Sequence, residues 1–131
     1  MQALQREYAA KGVVWISVVS SAPGNQGYHA SAADADRAMT EKTASPSFVV
    51  RDTAGVLGRM YGARTTPHLY AIDPQGVLRY AGAIDSIAST DTDDIAKATQ
   101  YVPQTLAELA AGKAVGTALT RPYGCSVKYA D

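Results

Sequence analysis

The stretch "PHLYAIDPQGVLRYAGAID", residues 67 to 85, constrains the fold more than any other part of the chain. Two runs, about 68 to 72 and 77 to 83, carry the β-branched and aromatic residues typical of strands. "DPQG" joins them, with Asp first, Pro at the second turn position and Gly at the fourth, the pattern of a type I turn. The spacing therefore predicts an antiparallel hairpin. Pro67 has no N–H to give a ladder and is tolerated only at a strand's first position, at an edge or at a bulge. It must open the first strand.

Upstream, helical and strand periodicities alternate. "MQALQREYAAKG" places Leu4, Tyr8 and Ala9 on one helical face, with Gly12 as the C-cap. "VVWISVVS", residues 13 to 20, is an apolar β-branched run of the kind found in strands buried on both faces. Ser31 suits the N-cap of a helix over about 32 to 43, with Ala35, Ala38 and Met39 inward. "PSFVVRD" reads as a second short strand, and "TAGVLGRMYGA" as a short helix ending at Gly62 with Val56, Leu57 and Met60 inward. Beyond the hairpin, a helix is expected from about 92 to 111, stopped by Gly112 and kinked or divided by Pro103 near Tyr101. Residues 113 to 131 read as an irregular tail. Parallel strands fed by helices need helices on both faces of the sheet. The order predicts one α/β domain over residues 1 to 131, a three-layer α/β/α sandwich with a mixed sheet.

Composition narrows the partners. A chain of 131 residues, 47% hydrophobic and 18% charged, has the material for one ordinary core. Twelve basic residues balance twelve acidic ones with no Lys/Arg run, so the electrostatic footprint of a nucleic-acid or anionic-membrane binder is missing. No apolar stretch approaches the roughly 18 to 20 residues that span a bilayer. The N-terminus lacks the zones of a signal peptide, so the compartment is not written in the chain. Small-molecule, thiol or protein partners remain. One cysteine, Cys125, excludes an intrachain disulfide, a Cys-x-x-Cys centre and a multi-cysteine zinc site.

"GVVWISVVSSAPG", the block "RDTAGVLGRMYGARTTPHLYAIDPQGVLRYAGAID" and the closing "RPYGCSVKY" together resemble the thioredoxin-like redoxins. The similarity is greatest to the peroxiredoxin-like branch of the alkyl hydroperoxide reductase and thiol-specific antioxidant superfamily. It covers nearly the whole chain. Its most specific part is "YGARTTPHLYAIDPQG", where helix, short loop, Thr-Pro, strand and Asp-Pro-x-Gly turn follow in the family's order. The resemblance implies a cis peptide bond between Thr66 and Pro67, with Thr65, Thr66 and Pro67 presenting backbone to a thiol or peroxide substrate. It implies no cofactor.

The resemblance also shows a departure. The family's first central strand leads into a helix whose N-terminal turn carries the reactive cysteine, made a thiolate by the helix dipole. "MQALQREYAAKG" corresponds to the rear of that helix, so the chain reads as N-terminally truncated and the catalytic cysteine has no position here. A slot between the strand at 13 to 20 and the strand at 68 to 72 then needs filling. Direct pairing of the two strands, a homodimer formed by strand exchange or pairing, or a separate piece of the same protein would each fill it. Cys125 is either a resolving thiol near Arg121 and Lys128 or a partly buried structural cysteine. Two functions are open: a fragment of a thiol-dependent oxidoreductase, itself inactive for lack of the helix cysteine, or a non-catalytic binding module using the Pro67 groove.

Other constellations point to structure. His29 and His68 have no second imidazole or carboxylate at ligand spacing, so no metal site is expected. The acidic run at 89 to 94 lacks the Gly and terminal Glu of a calcium loop and fits helix capping. The loop at 21 to 27 has neither the Lys-Ser/Thr of a P-loop nor dinucleotide glycine spacing.

Overall fold

A computed structural model describes all residues, Met1–Asp131. Helices and strands are mixed and the sheets are small, which places the chain in the α/β class. It divides into two compact units, Met1–Ala63 with Val127–Asp131, and Arg64–Ser126.

In the first unit, α1 (Gln2–Ala9) leads to β1 (Ile16–Val19), α2 (Ala32–Glu41), β2 (Phe48–Arg51) and α3 (Val56–Met60). β1 and β2 pair in parallel, Ile16 opposite Phe48 and Val18 opposite Val50. Tyr8 of α1 is buried as expected, but Gln5 takes the place assigned to Ala9, because its side-chain oxygen accepts the Ser45 N–H at 2.8 Å. Ser31 caps α2 by accepting from the Asp34 N–H at 3.1 Å, and Ala35 is buried beneath it.

Two expectations fail in this unit. β1 is not buried on both faces: Val14, Ile16 and Val18 are 61%, 53% and 45% exposed, and Phe48 beside them is 62% exposed. The two-residue period puts these side chains on one face that no element of the unit covers. Nor do Val56 and Met60 point inward; both are exposed, and Gly58 is the buried residue of α3. The tail explains this choice, since the Tyr129 ring lies where a Gly58 side chain would be, and its hydroxyl donates to the Ala63 carbonyl at 2.9 Å. Arg59 stacks on the same ring at 4.5 Å and donates to the Ala130 carbonyl at 2.6 Å.

The start of α3 is held by Asp52, 7% exposed. Its Oδ2 accepts from the Ser20 hydroxyl at 2.7 Å and the Gly58 N–H at 2.8 Å. Burial opposes its charge, but these bonds and the Leu57 and Val56 N–H groups outweigh burial and hold its pKa below the usual carboxylate range.

The second unit opens with β3 (Thr65–Thr66), then the hairpin of β4 (Leu69–Ile72) and β5 (Leu78–Gly82), a 3-10 turn (Thr92–Asp94), α4 (Tyr101–Ala110) and β6 (Cys125–Ser126). The hairpin forms as its turn signal predicts, Gly76 N–H donating to the Asp73 carbonyl at 3.0 Å. Asp73 also accepts from the Val77 N–H at 2.9 Å and from Arg79 Nε at 2.7 Å. Tyr80 is fully buried, its hydroxyl bonded to the Ala83 carbonyl and at 2.6 Å from Thr120 Oγ1.

The long helix expected from 92 to 111 is instead a 3-10 turn and a separate α4. Pro103 lies in the first turn of α4, where an N–H would have no intrahelical acceptor, so it starts the helix without kinking it. The tail is more ordered than an irregular reading allows. Thr120 N–H donates to the Ala81 carbonyl at 3.1 Å, a bridge joins Ala81 to Leu119, and β6 pairs with β3. The sheet expected from the sequence takes the form of three two-stranded ladders. Direct pairing of the strands at 13 to 20 and 68 to 72 does not occur: β1 pairs with β2 alone, and β4 with β5 alone.

Candidate functional site

The residues singled out around Pro67 are brought together with the one thiol. β3 and β6 run antiparallel, Thr65 opposite Ser126 and Thr66 opposite Cys125. The Thr66-Pro67 peptide bond is cis. Thr65 Oγ1 donates to the Pro67 carbonyl at 2.8 Å, folding the turn back on itself. Cys125 is exposed and makes no disulfide, so a partly buried structural cysteine is not what the fold builds.

Gly124 makes this pairing sterically feasible. Its φ is +131°, and a Cβ there would overlap the Thr66 carbonyl oxygen and sit 3.3 Å from Pro67 Cδ. Only a residue without a side chain lets the two backbones approach this closely.

His68 follows Pro67 and stacks on Tyr70 with ring centroids 4.6 Å apart. Its Nδ1 accepts the Arg64 N–H at 3.3 Å. Burial, with the nearby Arg64 charge, pushes its pKa down and favours the neutral ring. Lys128, expected near Cys125, belongs to the first unit, where its carbonyl accepts the Ala22 N–H at 2.9 Å.

A cavity of about 640 Å³ adjoins the Thr66 and Cys125 pair through Thr65 and Gly124. Its walls include Asp85, Tyr101, Arg121 and Tyr123. Asp85 is 8% exposed, and its Oδ1 accepts from the Tyr123 hydroxyl at 2.5 Å and from the Ile87 N–H at 3.1 Å. Burial and the bond to Asp85 push the Tyr123 phenol up to about 12. The sequence reading passed over Asp85, Tyr101 and Tyr123. The sequence carries no local signal for them, since an Asp after a strand, as in "GAID", is an ordinary turn former.

No protein-family model matches the sequence, and no curated protein matches it either. Two solved structures resemble the fold. A hypothetical protein from Sinorhizobium meliloti 1021 matches at 21% identity with a TM-score of 0.77, over 98% of this chain and 70% of that one. An uncharacterized conserved protein from Geobacillus kaustophilus matches at 20% identity with a TM-score of 0.74, over 98% of this chain and 66% of that one. At these identities the likeness establishes a shared fold.

Proposed function

We propose that the chain works in thiol chemistry as a thioredoxin-like redoxin of the peroxiredoxin-like branch, contributing Cys125 as its sulfur and Thr65, Thr66 and Pro67 as the backbone that seats a disulfide or peroxide partner. The single observation behind this reading is the register that sets Cys125 opposite Thr66, with the thiol exposed. The order of helices and strands and the closing "RPYGCSVKY" support it. In the elementary step, the Cys125 thiolate attacks one sulfur of a partner disulfide. A bond from Cys125 to that sulfur forms, the partner's S–S bond breaks, and the leaving thiolate takes up a proton.

One sulfur supports one such exchange per chain. Residues 1 to 131 hold no second cysteine to resolve the mixed disulfide, so turnover needs a thiol from outside these residues. Insulin-reduction and peroxide-consumption assays are expected to be silent, while mass spectrometry after treatment with bis(2-hydroxyethyl) disulfide shows one adduct that Cys125→Ser abolishes. A chain that forms no adduct in the folded state would refute the proposal. Turnover that Cys125→Ser abolishes would make Cys125 the whole catalyst and overturn the single-exchange reading.

The second reading, a non-catalytic binding module, draws on the open β1 face of Val14, Ile16, Val18 and Phe48, an apolar surface beside an unpaired strand edge. Adduct formation at Cys125 distinguishes the two.

A further inference from the structure

The cavity beside Cys125 contains a carboxylate whose hydrogen-bonding capacity the fold leaves half used. Both hydrogen bonds to Asp85, from Tyr123 and from Ile87, fall on Oδ1. Oδ2 accepts none. No side-chain oxygen sealed from solvent lacks a partner, so Oδ2 must keep an opening, and the cavity is the space that Asp85 lines. A carboxylate this buried is costly unless a donor meets it. The Tyr123 phenol, pushed up to about 12, stays a donor across the physiological range and keeps Oδ1 occupied. The remaining acceptor position is Oδ2.

A second charge lines the same cavity. Arg121 is exposed and enters none of the ion pairs of the chain, so its guanidinium is available for a carboxylate. A buried acceptor and a free guanidinium in one cavity match a molecule that carries both an ammonium and a carboxylate. The volume, about 640 Å³, lies within the roughly 300 to 1,000 Å³ of small-molecule sites. The Tyr101 and Tyr123 rings supply apolar wall, and Thr65 and Gly124 continue directly into the Thr66 and Cys125 pair.

From this arrangement the geometry points to a binding site for a sulfur-bearing amino acid, its ammonium on Asp85 Oδ2, its carboxylate on Arg121 and its sulfur at the Thr65 and Gly124 end of the cavity, next to the Thr66 and Cys125 pair. This rests on the thiol reading of Cys125 given above, and it names that partner as a low-molecular-weight amino-acid disulfide. A neutral disulfide satisfies neither charge, and a simple amine or a simple acid satisfies one.

S-methyl-L-cysteine carries both charges and cannot exchange its sulfur, so it probes the cavity without the redox step. Titrated into isotope-labelled protein, it is expected to shift the amide resonances of Asp85, Arg121, Tyr123 and Gly124. N-acetylation, which removes the ammonium, and methyl esterification, which removes the carboxylate, should each weaken binding by about tenfold or more, the loss of one charge-assisted contact. Asp85→Asn should weaken the parent probe and leave the N-acetyl compound unaffected. Arg121→Gln, at an exposed position that does not threaten folding, should do the same for the ester. Equal binding of all three compounds, or a parent affinity unchanged in Arg121→Gln, would overturn the proposal. Binding retained in a chain whose Cys125 forms no adduct would sink the thiol reading alone, and adduct formation without probe binding would sink the cavity alone.

Discussion

Gly124→Ala is the substitution that tests the site most directly. The added methyl would overlap the Thr66 carbonyl oxygen, lie 2.9 Å from its carbon and 3.3 Å from Pro67 Cδ, while φ at +131° is a conformation that L side chains rarely adopt. The first two neighbours are backbone, which cannot swing aside as a side-chain tip can. Overpacking against unyielding atoms costs about 1 to 3 kcal/mol. The unfavourable φ adds about 1 to 3 kcal/mol if the native conformation is kept. β6 is only two residues long, so the chain has a cheaper escape: release of the β3 and β6 ladder with loss of its few hydrogen bonds, each contributing about 0.5 to 1.5 kcal/mol net. The observed cost is therefore capped near the cheaper route, about 1 to 3 kcal/mol, or roughly 3 to 12 °C in Tm for a domain of this size. The distinguishing readout is local. Amide exchange at Cys125 and Ser126 should rise to the level of an open loop while that of Tyr80 stays protected. If Gly124→Ala melts within 1 °C of the native chain, by about the noise of such a scan, and keeps Cys125 protected, the claim that glycine is required for this approach is wrong.

Three further outcomes follow from the remaining contacts. Asp52→Ala strips the acceptor from Ser20 and Gly58 at the start of α3, and urea unfolding should show a loss of about 2 to 3 kcal/mol, against a few tenths for an exposed carboxylate. Gly58→Ala places a methyl 2.5 Å from the Tyr129 hydroxyl and 2.7 Å from Ser20 Oγ, so it should free the last residues to proteolysis, and its cost should shrink in a Tyr129→Ala background. Asp73 has its pKa lowered first by the Val77 N–H and next by Arg79, so the stability it contributes is present above the unfolded value of 3.8 and is lost as pH falls through the depressed folded value. Acid titration of stability should therefore be shallower between the depressed folded value and 3.8 in Arg79→Gln, and an unchanged slope would remove Asp73 from the account.

The parts of the fold that were legible in the sequence have local causes. The hairpin turn is specified within four residues, Asp73 to Gly76, whose own backbone and side-chain bonds close it. Ser31 caps α2 through a partner three residues away. Where the cause is remote, the reading failed. Val56 and Met60 have helical spacing suited to a core, yet Tyr129 determines which side of α3 is covered, and it is 71 residues from Gly58 along the chain. Pro103 reads as a break when the helix is started near residue 92, but its position depends on where the first turn begins.

The site divides along the same line. Thr66 and Pro67 were legible because a proline before a strand is a local constraint, whereas the order of the Cys125 segment comes from a partner strand 59 residues earlier. The local trace of that long-range pairing was Gly124: beside a cysteine in a tail it reads as flexibility, and in the structure it serves close approach. Asp85 left even less to read, since a lone carboxylate after a strand resembles a loop residue until burial shows what it lacks. Burial leaves Asp85 one oxygen bonded within the fold and one at an opening, and that division depends on Tyr123 arriving from 38 residues away to occupy Oδ1. The arrangement of the candidate site is thus written in the tail, residues that local pattern assigns to no element, because only the tertiary fold sets Tyr123, Gly124 and Cys125 against Asp85 and Thr66.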